Sequence, residues 1–123
     1  MRGVLLDVVK GEIKEVDIED SLEAYYDALN CTVIDIVQRD IGGITFDIVC
    51  DDEGLLKDSP VVSAVDSKYR PMFVGNLLFL HGDDTTGEMV GISEEEASFL
   101  IGNCCWSVRD TTVYPVMTDC EYY

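Results

Sequence analysis

The stretch MFVGNLLFLHG, residues 72–82, is apolar at odd and even positions alike. A strand that buries one face alternates with period two. A run that is apolar on both sides predicts a central strand with material packed on each face. We read the rest of the chain around that strand.

GVLLDVVKGEIKEVDI reads as two strands, 4–9 and 13–18, joined by a tight turn at Lys10-Gly11. EDSLEAYYDALN reads as a helix near 21–30, with Asp20 as N-cap and Glu23 completing a capping box. Its expected apolar stripe is Leu22, Tyr25, Tyr26 and Leu29. Strands at 32–38 and 44–50 follow, paired across Asp40-Ile41-Gly42-Gly43; Ile44, Phe46, Ile48 and Cys50 share one face of the second. Residues 51–71 are rich in turn formers and read as a crossing loop, with one short strand or turn around Leu55 and Leu56. The central strand is placed at 72–80, with TGEMVGI as a short partner. Ser93 and Glu96 form a second capping box, opening a helix over 93–104 with the stripe Ala97, Leu100, Ile101 and Cys104. The expected architecture is α+β: one domain over 1–103, with two helices and a mixed or antiparallel β-sheet of about five or six strands. Residues 104–123 are expected to be a C-terminal extension packed on or extending that domain.

Charge narrows the function. Eight Lys and Arg stand against 25 Asp and Glu, for a net charge of −17. Hydrophobic content of 47% excludes the low-hydrophobicity regime of disordered chains, so the charge decorates a folded protein. Nucleic acid and anionic lipid both require a basic footprint, which disfavours direct binding to either. A basic protein is the natural partner.

Five cysteines, with no C-x-x-C pair, an early Asp7 that interrupts a short apolar run and no span-length apolar segment predict a reduced, cytoplasmic protein without signal peptide. Cys50 falls in core register. Cys31 and Cys50 are expected to be inaccessible, and Cys120, in the tail, to react first.

Catalytic and metal chemistry is poorly supplied. His81 is the only histidine. Placing Gly87 at position six of a calcium loop puts Gly82, Asp84, Thr86 and Ser93 at positions one, three, five and twelve, which leaves one acid of the set. No phosphate-binding or dinucleotide glycine motif occurs. The reading is therefore a non-enzyme with no metal and no cofactor.

The motifs carry a resemblance. Ser21, Leu22 and Glu23, then Val49, Cys50, Asp52, Glu53 and Gly54, then Gly75 and Ser93 occur in the order of a strand pair, helix, acidic turn, Gly-led apolar strand and acid-opened helix. The chain resembles, over roughly 4–103, a family of small uncharacterised acidic proteins carried by phages, plasmids and conjugative elements of Firmicutes and gut bacteria. It departs at DSPVVSA, where that family often carries L-P-x-N-R and this chain has Val61, Val62 and no Arg. The resemblance implies an accessory role on a mobile element and no established activity.

Two functional expectations follow, with a third behind them. The first is a protein that inhibits a basic host defence factor, such as a nuclease, by presenting carboxylates where DNA phosphates would lie. Its candidate stripe is Asp51, Asp52, Glu53, Asp83, Asp84, Glu94, Glu95 and Glu96. The second is a sponge for a nucleotide defence signal, using Lys68, Tyr69 and Arg70, or Trp106 with Arg109, which a homo-oligomer could pool. The third is a regulatory or structural phage protein without a defence role.

Overall fold

The computed structural model describes residues 1–56 and 60–122. The chain runs β1 (Arg2–Asp7), β2 (Glu12–Asp17), α1 (Leu22–Leu29), β3 (Ile34–Ile41), β4 (Ile44–Asp51), a 3₁₀ turn (Gly54–Leu56), β5 (Val62–Val65) and β6 (Pro71–Val74). It continues through β7 (Leu77–Gly82), β8 (Met89–Val90), α2 (Glu94–Gly102), β9 (Cys104–Arg109), β10 (Thr112–Met117) and β11 (Cys120–Tyr122). The fold is α+β with two helices.

β7 is central, as its composition demands. Seven strands form an antiparallel sheet in the order β11-β3-β4-β7-β1-β2, with β8 paired to the end of β7. On one face, Leu77 and Phe79 join Val4, Leu6, Phe46, Ile48 and Cys50 against Ala97 and Leu100 of α2 and Ala64 and Met117 of a second sheet. On the other, Leu78 and Leu80 join Leu5 and Val49 against Tyr25 and Leu29 of α1. Side chains alternate across a strand, so covering both faces buries every residue from Leu77 to Leu80 completely. Each such Leu or Phe contributes about 1.5–3 kcal/mol.

The second sheet has four strands, β6-β5-β10-β9, with one parallel contact between β5 and β10. Eleven strands among the described residues therefore replace the five or six expected, for three physical reasons. The run at 72–80 is broken at Gly75, which takes φ +77 and sends β6 into the small sheet and β7 into the large one. β5 is VSAV, small and without alternation, and it lies inside the segment expected to be a loop; that loop's residues 57–59 lie outside the described residues. The tail adds three strands: β9 and β10 turn at Asp110 and Thr111, with Asp110 at φ 54, and Cys120 pairs with Ile41 to bring β11 onto the large sheet.

Local details also differ. β1 stops at Asp7 because the Asp7 carboxylate accepts hydrogen bonds from the Val9 and Lys10 amides, both at 2.9 Å, and turns the chain early. Ser21, not Asp20, caps α1 by accepting from the Ala24 amide at 3.2 Å. Asp20 instead accepts from the Tyr25 hydroxyl at 2.5 Å and the Met89 amide at 3.2 Å. The buried stripe of α1 accordingly runs through Ala24, Tyr25, Ala28 and Leu29, while Leu22 is exposed. The capping box of α2 is present in full. Its helix ends at Gly102, leaving Ile101 exposed and Cys104 in β9. No described helix is long and apolar enough to cross a membrane.

Met117 and Cys120 are fully buried in the main core. Truncation after Asn103 removes both, with half of the small sheet. We expect the truncated chain to show no cooperative urea transition by circular dichroism, whereas the full chain unfolds cooperatively. A cooperative transition in the truncated chain would show that 104–123 is dispensable for folding.

Candidate functional site

Strand register decides where the carboxylates sit. Cys50 pairs with Leu77 and Asp47 with Leu80, so β4 and β7 run in opposite directions. Asp51, Asp52 and Glu53 therefore emerge at the start of β7, and Asp83 and Asp84 beyond its end. At about 3.3 Å per residue, the six residues of β7 separate the two groups by roughly 20 Å. The expected acids form two patches.

In the patch beyond β7, several acids have structural tasks. Asp83 accepts from the Thr85 amide at 2.8 Å, and the turn closes through Asp83 N–H to the Glu88 carbonyl at 2.8 Å. Glu96 accepts from the Ser93 amide at 2.9 Å and meets His81 Nε2 at 2.9 Å with its other oxygen. The His81 ring stacks on Phe46, with centroids 5.3 Å apart. Burial alone would raise the Glu96 carboxyl, but the Ser93 amide and the His81 ring outweigh it and hold it below the usual range. The histidine that stood out in the sequence thus ties α2 to β7. Asp84, Glu94 and Glu95 are exposed.

The other patch borders a cleft of about 460 Å³, within the size range of ligand pockets. It opens between β6 of the small sheet and the β3–β4 end of the large one. Val37, Cys50, Met72, Phe73 and Val74 supply apolar lining, and Asp35, Asp51 and Asp52 supply carboxylates. Gly54 permits the close approach of the 3₁₀ turn to β6, since a Cβ there would lie 3.1 Å from Val74. Leu55, strongly exposed, adds apolar surface at the cleft. Behind Phe73, the Arg39 guanidinium lies 5.5 Å from that ring and 4.7 Å from the Tyr122 ring, clamping β11 and β6 to β3. Asp35 was absent from the sequence-based set. Its signal was available in the register, because Asp35 pairs with Cys50 and so points to the same face.

The cationic candidates are also divided. Lys68, Tyr69 and Arg70 lie in the turn between β5 and β6, organised by the buried Asp66 carboxylate. Asp66 accepts from the Lys68 and Arg70 amides at 2.9 Å and pairs with Arg70 Nε at 2.7 Å. The Arg70 amide, then its side chain, hold Asp66 below the usual carboxylate range against desolvation. Trp106 and Arg109 lie on β9, and Arg109 donates to the Pro60 carbonyl, ahead of β5. β10 runs parallel to β5, which puts Arg109 at the starting end of β5 and residues 68–70 beyond its finish. The two cationic groups do not converge.

Residues 1–103 match a protein family described as Domain of unknown function (DUF3846). The chain belongs to the DUF3846 family. No curated protein and no solved structure matches it. The DUF3846 match ends at Asn103, between α2 and β9, and takes in both carboxylate patches and every residue that lines the cleft; Trp106, Arg109 and Tyr122 lie outside it.

The thiols of this DUF3846 chain depart from expectation at Cys120, which is fully buried because β11 is an integral strand, not an exposed tail. Burial, with smaller contributions from nearby charges, pushes its thiol up to about 12. Cys104 rises to about 12 through burial and the neighbouring Cys105. Cys50 rises to about 11 through burial, then Asp35, Asp52 and Asp51. Cys31, expected to be inaccessible, is half-buried.

Two outcomes are expected. At pH 8 a thiol reagent should modify Cys105 before Cys50, Cys104 and Cys120, as read by peptide mass mapping; equal labelling of Cys120 and Cys105 would refute the burial of β11. The lowered Glu96 carboxyl adds stability above the usual carboxylate range, and that stability is lost as pH falls through it. Glu96→Gln should therefore lower the urea midpoint at pH 7, with the gap to wild type closing under acid conditions.

Proposed function

We propose that this chain is a non-enzymatic binding protein of a mobile element, which inhibits a basic host protein such as a nuclease or another defence effector. The observation that carries this reading is the cleft beside β6, where an apolar floor meets three carboxylates. An apolar side chain of the partner fills the floor, and flanking Lys or Arg residues meet Asp35, Asp51 and Asp52. Apolar contacts at the centre supply affinity, while rim charges steer encounter and select a cationic segment.

Resemblance supports the mobile-element setting, and the surplus of carboxylates supports a basic partner inside the host cell. DNA mimicry enters this proposal as a two-point contact. Duplex DNA presents one charge per ~1.7 Å of axis. The acids at β4 and those near α2 would meet a DNA channel as two separate patches, with the cleft as the specific one.

The test is a titration of the ¹⁵N-labelled protein with a short peptide carrying a central Leu-Trp pair flanked by arginines. Shifts should centre on Val37, Cys50 and Phe73. The double variant Asp35→Lys, Asp52→Lys should bind at least tenfold more weakly, while Asp84→Lys, Glu94→Lys should bind as wild type. Binding should also weaken with salt, because screening acts over about 8 Å at physiological ionic strength. Shifts mapping elsewhere, or undiminished binding by the cleft variant, would refute the cleft as the docking site. Affinity purification of the tagged full chain from its host then identifies the partner.

A further inference from the structure

The edges of the two sheets are not equally guarded. Exposed edge strands invite pairing with another chain, and proteins blunt them with charge, proline or short length. β2 carries Glu12, Lys14, Glu15 and Asp17 among its six residues. β11 has three residues and β8 two. β6 has four and begins with Pro71. β9 is six residues long, CCWSVR, with no acid and no proline and its single charge at the end, Arg109.

Its outward hydrogen-bonding groups can be assigned. Trp106 pairs with Pro115, which has no N–H, so that pair cannot exchange two hydrogen bonds. Alternation then makes Cys105 with Val116, Ser107 with Tyr114 and Arg109 with Thr112 the hydrogen-bonded pairs. The amides and carbonyls of Trp106 and Val108 consequently point away from β10, at an edge where no described strand pairs. On one face of the same hairpin, Trp106, Val108 and Val113 are 54%, 68% and 51% exposed. Cross-strand register places Val108 directly opposite Val113, next to Trp106 and Pro115. The result is an apolar patch continuous with an unpaired strand edge.

We propose that β9 pairs antiparallel with β9 of a second copy of this chain, joining two small sheets into one eight-stranded sheet across a two-fold axis. Charge selects this occupant. A basic partner is drawn to the carboxylate patches, whereas β9 carries no acid for it to meet. Two copies, each at −17, repel wherever acids face one another. Strands β9 and β10 contain no acid, and the one carboxylate of their hairpin, Asp110, lies in the turn next to Arg109, so two copies meet along this edge with few like charges facing one another. Isologous pairing is self-complementary: Trp106 and Val108 of each copy extend the apolar face of the other.

Trp106 is the sole tryptophan and serves as the reporter. Sedimentation equilibrium of the full chain should give twice the monomer mass of 13.7 kDa at tens of micromolar. Tryptophan emission should shift to the blue as concentration rises. Association should tighten with added salt, which screens like-charge repulsion; binding of a basic partner at the cleft weakens with salt, so the two proposals fail separately. Val108→Lys, and independently Val108→Pro, which removes an outward amide, should yield monomers with wild-type circular dichroism. A wild-type monomer at 100 µM in 0.5 M salt, with concentration-independent emission, would overturn the proposal. So would a folded Val108→Lys dimer. Were both variants to misfold, the wild-type mass and emission would still decide.

Discussion

Burial of β7 on both faces is the constraint from which the architecture follows. Four consecutive apolar residues, Leu77, Leu78, Phe79 and Leu80, cannot be satisfied by one covering layer, because neighbours point to opposite sides. α1 covers one face, with Tyr25 and Leu29; α2 and the small sheet cover the other, with Leu100, Ala64 and Met117. The T-shaped packing of Phe46 on Phe79, with centroids 6.5 Å apart, sits on the second side. The small sheet is thus part of the covering layer. Its strands β9 and β10 come from the tail, so residues near the C-terminal end help to bury a strand in the middle of the chain.

That same burial dictates where charge can go. With the central strands covered on both faces, carboxylates collect at strand ends, in turns and at helix starts. Two that are buried, Asp7 and Asp66, each accept hydrogen bonds from turn amides, the arrangement that makes a buried carboxylate tolerable. Cations are few, and several are engaged close to home: Arg2 with Glu15, Lys14 with Glu12, Arg70 with Asp66, and Arg39 between two rings. The antiparallel register of β4 and β7 then divides the acids into patches at opposite ends. The gap between β6 of the small sheet and the end of β3 and β4 forms an apolar cleft beside the Asp51–Asp52 patch, which gives that end an apolar floor among its carboxylates.

Much of this was legible in the sequence where local pattern carries the information. Period two in ITFDIVC put Phe46, Ile48 and Cys50 on one face, and the capping box of Ser93 and Glu96 marked the start of α2. Signals decided by tertiary context were not legible. Asp20 and Ser21 are both good caps, and the choice went to Ser21 because Asp20 binds Tyr25 and Met89. The apolar run at 72–80 contained two strands because Gly75 divides it between sheets. VSAV gave no periodicity because β5 is buried on both sides. At the cleft, Asp51 and Asp52 were legible as an acidic run, but their neighbours Met72 and Phe73 come together with them only through folding.

The tail concentrates what the composition conceals. The total of −17 describes an average surface, yet β9 and β10 depart from it completely. A basic surface can approach this protein from its acidic ends and gain Coulomb energy, whereas strands β9 and β10 offer it no carboxylate. The hairpin's exposed Trp106, Val108 and Val113 cannot be ascribed to any shortage of polar residues in so acidic a chain. Most of the main core is drawn from the matched region, but Met117 and Cys120 in the tail complete it; Met117 shares one hairpin face with Trp106, Val108 and Val113, so that face is buried at one end and exposed at the other. Folding accounts for the buried end. The exposed end calls for a separate physical reason, and the proposed pairing through the unguarded edge would use its backbone phase, its acid-free strands and its apolar surface.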